Sequence, residues 1–397
     1  MALISLGFID KKCIPILIGS ISCFFNRLLN NYDGSLLFKN PILTNINISS
    51  CKLFAIIPLI ILKTRSKKIH ESEIKNNINE NNNDFSNNNG NHLEIINKNE
   101  KKLIIKGKWK FILLSVIVFF FNQLFFVLTI KVKSNTTILN ILITSIFYYC
   151  IFKIKLYRHH YLSVILIIIT GFAIDIILDN YQYDIKNNLA ILFIRLIREI
   201  LYSLSSVIDK YIMEKKYVSV YEILSAHGIL TLLLFIIIAI LDYNFWGIDN
   251  YEEYFSNFNS TELLVIFGVL MTQFGLNLFI LITNRNNSPC HIFIIFVFGQ
   301  LAYYVDFSGT SIIVICCLIF ILFLSLIFNE IIEINFLGLS FNTKKNIILR
   351  AKKETVEEMI MTKDDSVNTS IEGIDKIILK DDSLIPKIFE ENSAAYD

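Results

Sequence analysis

Long uninterrupted apolar runs constrain the fold of this chain more than any other feature of its sequence. Each run is roughly 17–24 residues long, which is enough for a helix to cross a hydrocarbon layer of about 30 Å. Hydrophobic residues make up 54% of the chain and charged residues 18%, whereas soluble chains have about 25% charged residues. The sequence therefore predicts an all-α, polytopic membrane protein whose surroundings are the lipid bilayer.

We predict ten transmembrane helices from these runs. Their approximate bounds are 13–30, 43–63, 109–131, 136–153, 160–178, 188–212, 218–241, 261–283, 288–305 and 310–332. The polar segment between the second and third helices contains NNINENNNDFSNNNGN, which cannot bury a core and is predicted to be disordered. The predicted order is two helices in 1–63, a disordered loop in 64–108, three helices in 109–187, five helices in 188–335 and a polar tail in 336–397.

Basic residues in alternate loops predict the orientation of the helices. The loops with KTRSKK, KIKLYRHH, MEKKY and NRNN lie on one side, and the acidic loop DYNFWGIDNYEEYF lies on the other. Because basic loops stay on the cytoplasmic side, both termini and the Asn-rich loop are predicted to be cytoplasmic, in an endomembrane or the plasma membrane. Asn259, in the motif Asn-Ser-Thr, then becomes a luminal or extracellular glycosylation acceptor.

Several other classes of protein fit the sequence poorly. The net charge is only +2, which gives no electrostatic reason to expect a nucleic-acid partner. The seven cysteines show no paired spacing, and most lie in apolar runs, where cysteine acts as a small hydrophobe. His159-His160 lies in a basic interfacial loop that suits lipid headgroups better than a metal. The sequence contains no HExxH, GxSxG or glycine-rich phosphate loop, so it predicts no enzyme, cofactor or metal site.

The two halves of the chain resemble each other. GSISCFFNR at 19–27 aligns with YSLSSVIDK at 202–210, and segment 128–149 aligns with 282–304 when one gap is allowed. Consecutive copies with an odd number of helices enter a membrane from opposite sides. The alignment therefore predicts two inverted five-helix repeats, an arrangement used for alternating access around a central site.

The start of the second repeat points to a known family. It reads SLSSVIDKYIMEKKYVSVYEIL at 203–224, an amphipathic first helix that ends in a Lys-rich turn. With its two five-helix halves, the chain resembles the drug/metabolite transporter superfamily, in the EamA-like and nucleotide-sugar-transporter-like branch, over about residues 10–335. The resemblance implies a ten-helix transporter with a cavity between the halves. It implies no substrate class, because no motif of the sugar-nucleotide or triose-phosphate carriers is present.

The sixth predicted helix carries charges along one side. At about 100° per residue, one stripe contains Arg195, Arg198, Glu199, Tyr202, Ser205, Ser206 and Asp209. Charges at membrane depth face protein or water, because their burial costs at least about 2.5–3.5 kcal/mol. If the stripe lines a cavity, Arg195 and Arg198 can bind a phosphate or carboxylate. The alternative is that pairs such as Arg195 with Glu199 join helices and never contact a solute.

Weaker polar stripes on other helices extend the predicted solute site. They are Asn140 and Tyr148 on the fourth helix, Gln273 and Asn277 on the eighth, and Gln300 and Tyr304 on the ninth. Interhelical hydrogen bonds explain each of these groups equally well. Asp209 and Lys210 lie near the predicted cytoplasmic end of the sixth helix and are predicted to belong to a gate, together with Asn26 and Arg27, with which they align between the repeats. His227 either couples protons or is a packed, hydrogen-bonded histidine.

From these observations we expect a secondary-active transporter of a small polar metabolite, with an anion favoured by the arginines. Exchange or an ion gradient would drive it, because no ATP-binding motif is visible. The alternative is a receptor or scaffold that keeps the transporter fold without transport. Both a monomer and a homodimer are compatible with the sequence.

Overall fold

The computed structural model of the protein describes residues 4–6, 13–32, 40–66, 91–129, 139–154, 156–182, 189–256, 260–304, 309–334, 343, 346–347 and 350. Helices dominate this described part of the chain, and its strands form one antiparallel pair in which Ser5 lies opposite Glu333. The chain divides into two units, Met1–Ser340 and Phe341–Asp397, and every element named below belongs to the first.

The described helices are named α1 to α11 in chain order. The first five are α1 (Ile14–Tyr32), α2 (Pro41–Ser66), α3 (Asn91–Thr129), α4 (Leu139–Phe152) and α5 (Arg158–Gln182). The others are α6 (Leu189–Lys215), α7 (Val220–Leu241), α8 (Tyr251–Ser256), α9 (Ser260–Asn286), α10 (Ile292–Gln300) and α11 (Gly309–Phe328). Irregular turns are a 3-10 turn within α2 at Leu53–Ala55, a π-helical turn after α7 at Asp242–Trp246, and 3-10 turns around α10 at Pro289–His291 and Leu301–Tyr304.

Each predicted apolar run coincides with one of these helices to within about four residues, apart from the start of the third. The predicted disordered loop 64–108 is wrong at its carboxyl-terminal end, because α3 begins at Asn91. Segment 91–108 is polar overall, but its Leu, Glu and Lys residues favour a helix. The predictions for 67–90, for Asn259 and for most of the tail lie outside the described residues.

The helices have the lengths and surfaces of a membrane protein. Five segments are long and apolar enough to cross a bilayer: Pro41–Ser66, Lys108–Val127, Val220–Trp246, Ile266–Asn286 and Ser311–Phe328. Shorter apolar helices lie at Ile14–Leu29, Leu139–Phe152, Arg158–Ile174 and Pro289–Tyr304. Large apolar side chains such as Ile57, Phe172 and Leu233 are more than half exposed on these helices. Soluble proteins rarely expose apolar surface on this scale, so the chain is built for a lipid environment.

Helices from the two halves of the chain pack against each other. Helix α6 packs along α3 and on α4, while α1 packs along α9 and on α10. Helix α2 packs on α7, and α5 packs on α11. Thus α1 and α6 are each packed against two helices of the opposite half, and the polar stripe of α6 faces the interior of the bundle.

The loop after α7 caps the amino-terminal end of α2. The Asp249 carboxylate accepts hydrogen bonds from the backbone N–H groups of Ile42 (3.3 Å) and Leu43 (2.8 Å). The Asn40 side-chain oxygen accepts a third hydrogen bond, from the backbone N–H of Asn250 (2.8 Å). The first N–H groups of a helix lack partners within the helix, and a carboxylate there also complements the helix dipole. This loop therefore fixes the end of α2.

The Asp249 cap makes stability depend on pH. Burial raises the pKa of the Asp249 carboxyl from 3.8 to about 6, although the hydrogen bonds from Leu43 and Ile42 oppose the shift and the Asp242 carboxylate adds to it. Because the folded state then binds this proton more tightly than the unfolded chain, the group adds stability as the pH falls from about 6 to about 4. The Asp249→Asn variant cannot ionise at this position, so its stability should lack this gain on acidification.

Melting temperatures of the detergent-solubilised protein at pH 7 and pH 5 test this prediction. We expect the change on acidification to be more favourable in the wild type than in Asp249→Asn by a few degrees. Glu252→Gln is the matched control, because Glu252 is an exposed acid of the next helix, and it should keep the wild-type profile. Equal pH dependence in the wild type and Asp249→Asn would contradict the prediction.

Candidate solute-binding cavity

A cavity of about 230 Å³ lies within the helix bundle. Side chains from α1, α2, α3, α4, α6, α7, α9 and α10 line it. Pockets for drug-sized ligands usually measure about 300–1,000 Å³, so this one suits a smaller molecule. Helix α6, whose stripe was the main sequence signal, contributes more polar side chains to its wall than any other helix.

The structure divides the predicted α6 stripe into two parts. Arg198, Glu199, Tyr202 and Asp209 line the cavity, together with the serines between them. Arg195 does not line it, although it is buried at 5% exposure. Arg195 lies almost one turn closer to the start of α6 than Arg198 does. The prediction that both arginines face the solute site is therefore wrong for Arg195.

Glu199 neutralises the arginine that faces the cavity. Its Oε1 lies 2.7 Å from Nη2 of Arg198, and its Oε2 accepts a hydrogen bond from Nδ2 of Asn140 at 3.3 Å. The Arg198 guanidinium also lies 5.7 Å from the centre of the Phe126 ring. The sequence suggested Arg195 as the ion-pair partner of Glu199. In the structure the adjacent Arg198 forms an ion pair with it, and a predicted α4 residue, Asn140, holds the pair in the cavity wall.

The predicted stripes on the other helices are only partly in the cavity. Gln273 and Asn277 of α9 line it. Tyr148 and Tyr304 instead pack against an apolar cluster formed by α4, α5, α10 and α11. Gln300 ends α10 and does not line the cavity either. Tyr148, Gln300 and Tyr304 therefore do not line the cavity as predicted, and the two tyrosines belong to this apolar packing instead.

Two of the four predicted gate residues line the cavity and two bind neighbouring helices. Arg27 and Asp209 line it. Asn26 donates to Oγ1 of Thr272 at 3.1 Å and to a backbone carbonyl of α9 at 3.3 Å. The Lys210 ammonium donates to two carbonyl groups at the end of α9, at 2.9 and 2.6 Å, and pairs with Glu214 at 2.7 Å. Asn26 and Lys210 thus have packing contacts that fully explain their burial.

Lys52 is a cavity residue that the sequence reasoning missed. It is 1% exposed, and its ammonium lies 3.4 Å from the centre of the Phe119 ring. It lies in the middle of the predicted second helix, and a lone lysine in such an apolar run was enough to mark it as a candidate site residue. An ionisable residue inside a membrane helix points to a functional site unless a partner explains it.

His227 is packed and hydrogen-bonded, as one of its two predicted alternatives has it, and it also lines the cavity. Its Nε2 lies 2.9 Å from the Ser115 hydroxyl, and its ring stacks on Phe119 at 4.7 Å. The Ser115 hydroxyl also bonds to Asp209 Oδ1. Ser115 is uncharged and lies in an apolar run, so no sequence signal indicated it.

The cavity has two cations without a carboxylate partner in the described part of the chain. Its charged residues are Arg27, Lys52, Arg198, Glu199 and Asp209. Arg198 is paired with Glu199, whereas the described residues place no carboxylate within 4 Å of the Arg27 or Lys52 side-chain nitrogens. The Arg27 guanidinium lies 5.0 Å from the centre of the Tyr303 ring, and its Nη1 is buried without a hydrogen-bond partner among the described residues. An anion is the ligand that this arrangement favours.

His159, His160 and Glu330 come together at the other end of the bundle interior, where α5 begins and α11 has ended. Nε2 of His159 lies 3.2 Å from the Glu330 carboxylate, and Nε2 of His160 lies 4.0 Å from it. The Tyr157 backbone N–H donates to Nδ1 of His160 at 3.1 Å. A neutral imidazole that accepts at Nδ1 carries its proton on Nε2, which is then unavailable to a metal. The group is therefore better described as a hydrogen-bonded cluster.

Comparison with known proteins adds no relative to this picture. No family model and no curated protein matches the chain. The functional interpretation therefore rests on the residues and the geometry described above.

Proposed function

We propose that the protein is a secondary-active transporter that moves a small polar anion across a membrane by alternating access. The observation that carries the proposal is the pair of cations in one interior cavity, the half-buried Arg27 and the buried Lys52, neither of which has a described carboxylate within 4 Å. Removing such charges from water is costly, and a fold retains them where an anion offsets the cost. In this scheme the Arg198–Glu199 pair and the amides of Gln273 and Asn277 bind the uncharged polar groups of the solute.

The packing of the helices supports two inverted five-helix repeats. In such a repeat α1 corresponds to α6, α2 to α7, α3 to α9, α4 to α10 and α5 to α11. The packing of α6 on α3 and α4 then corresponds to the packing of α1 on α9 and α10. The α2–α7 and α5–α11 pairs each join a helix to its own counterpart. The aligned residues follow the same rule. Asn26 bonds to α9, and Asp209 bonds to the equivalent helix α3. In this proposal the two halves rock around the cavity, as in the drug/metabolite transporters that the sequence resembles.

A ten-helix topology follows if the five long apolar segments, the four shorter apolar helices and α6 all cross the membrane. Helix α6 is less apolar than the five long segments because it carries the polar stripe, which in this proposal faces the cavity rather than lipid. The loop charges then place both termini in the cytoplasm, in an endomembrane or the plasma membrane.

Thermal stability of the full-length protein in lipid nanodiscs tests the proposed solute class. The probes are inorganic phosphate, glucose 6-phosphate, UDP-glucose and succinate, with neutral glucose for comparison. At about 100 times its dissociation constant, a bound anion adds about 2.7 kcal/mol, which corresponds to several degrees. We expect at least one anion to stabilise the wild type and to lose this effect in Arg27→Gln. Lys215→Gln, at an exposed cation of α6, should respond like the wild type.

Exchange of the labelled anion across proteoliposome membranes then separates a transporter from a non-transporting receptor. A transporter exchanges internal for external anion, whereas a receptor binds it without exchange. The proposal fails if none of the four anions stabilises the protein, or if every stabilisation survives in Arg27→Gln.

A further inference from the structure

Asp209, Ser115 and His227 form a hydrogen-bonded chain in the cavity wall. The Ser115 hydroxyl of α3 bonds to Asp209 Oδ1 of α6 and lies 2.9 Å from Nε2 of His227 on α7. Nε2 of His227 and Oδ1 of Asp209 are 3.8 Å apart. The three residues are at most 4% exposed. An acid, a hydroxyl and a base from three helices thus meet at one point beside the solute cavity.

These three side chains can bind one additional proton and still keep both of their hydrogen bonds. With Asp209 ionised, the Ser115 hydroxyl donates to the carboxylate, and Nε2–H of His227 donates to Ser115. A proton that arrives at Nδ1 of His227 releases the Nε2 proton to the Ser115 oxygen, which passes its own proton to Asp209. The protonated Asp209 then donates to Ser115, and Ser115 donates to Nε2. One proton has been added, and each hydrogen bond has reversed its direction.

Lys52 of α2 determines the charge around this chain. Its ammonium lies 3.4 Å from the centre of the Phe119 ring, on which the His227 ring stacks at 4.7 Å, and Lys52, Asp209 and His227 line the same cavity. The neighbouring Lys210 side chain is held by carbonyl groups at the end of α9, so it does not share this role. The other charged residues in the cavity wall are Arg27 from α1, and Arg198 and Glu199 from α6.

We propose that Asp209, Ser115 and His227 form a proton-binding site that is coupled to anion binding at Lys52, an inference that rests on the proposed function. The positive charge of Lys52 favours the ionised form of Asp209. An anion beside Lys52 offsets that charge, and Asp209 then binds its proton more tightly. Thermodynamic linkage requires the proton to increase the affinity for the anion by the same factor. The anion and the proton therefore bind together, and a proton gradient drives transport.

Infrared difference spectroscopy of the full-length protein in nanodiscs tests this site without a known solute. Acidification should produce a carboxylic-acid band in the wild type that is absent from Asp209→Asn. Lys52→Gln removes the charge that a bound anion would offset, so it should raise the titration midpoint of this band by about one pH unit. Lys215→Gln, at the exposed end of α6, should leave the midpoint unchanged.

Two results would overturn the inference. Identical titrations of the wild type and Asp209→Asn would exclude the proton site, and an unchanged midpoint in Lys52→Gln would exclude its coupling to the cation. If Asp209→Asn does not fold, the comparison of Lys52→Gln with Lys215→Gln decides alone. The thermal-stability measurements with anions are an independent test. If an anion binds but the spectra show no carboxylic-acid band from Asp209, only this inference is wrong. If the Asp209 band is present but no anion binds, the proposed solute class is wrong.

Discussion

Lys52→Met should raise the melting temperature of the protein and weaken its response to anions. The Lys52 side chain is 1% exposed within the apolar segment Pro41–Ser66. A charge at membrane depth costs at least about 2.5–3.5 kcal/mol, of which the contact with the Phe119 ring offsets about 2 kcal/mol. Methionine keeps the length and flexibility of the side chain without its charge, and Asp209 can be protonated once Lys52 is gone. We expect an increase of roughly 2–5 °C.

The weaker anion response follows from the same geometry. A hydrogen bond to a charged group contributes about 1.5–3 kcal/mol, which corresponds to roughly a 10–150-fold change in affinity. At about 100 times the wild-type dissociation constant, stabilisation by phosphate, glucose 6-phosphate, UDP-glucose or succinate should therefore fall from about 2.7 kcal/mol to about 0.3–1.4 kcal/mol in Lys52→Met.

Melting curves in nanodiscs, with and without each anion, measure both effects. Lys215→Met is the matched control, because this lysine is exposed at the end of α6 and should change neither the melting temperature nor the anion response. If Lys52→Met melts below the wild type and responds to anions as strongly as the wild type does, then Lys52 is a structural residue and the cavity does not bind anions through it.

The positions of the helices were predictable because they depend on the lengths of apolar runs, which the order of residues shows directly. The start of α3 was not, because 91–108 is polar yet contains good helix formers, and polarity was taken as a sign of a loop. The polar side of α6 was also predictable from its periodicity. Which turn of that side meets the cavity depends on how α3 and α4 pack on it, so Arg198 could not be separated from Arg195.

The proton chain shows a second limit of the sequence. Asp209 was assigned to a gate because of its position near the predicted end of the helix, and His227 was judged alone. Their connection runs through Ser115 on a third helix, 94 residues before Asp209 and 112 before His227. Such a contact depends on tertiary packing, and no local pattern of residues indicates it. Lys52 is different, since its charge within an apolar run was visible and was overlooked.

Gly228→Ala should destabilise the protein and weaken its response to anions, because α7 crosses α2 at this glycine with no room for a side chain. A Cβ atom on Gly228 would lie 2.9 Å from Cβ of Lys52 and 3.2 Å from both the Lys52 carbonyl carbon and the Leu53 backbone nitrogen. These are backbone or near-backbone atoms that no rotamer change can move. The two helices would have to separate, and overpacking of this kind costs about 1–3 kcal/mol.

The same displacement would move Lys52 away from Phe119 and from the cavity, so stability and anion response should fall together. We expect Gly228→Ala to melt several degrees below the wild type, and Gly228→Val, with its larger side chain, to melt lower still. Gly268→Ala in α9 is the matched control, because a Cβ there meets only Leu29 Cδ1 at 3.5 Å. Alanine favours a helix over glycine by about 1 kcal/mol, so this control should melt at or above the wild-type temperature. Equal melting temperatures for Gly228→Ala and Gly268→Ala would show that the α2–α7 crossing is looser than the structure indicates.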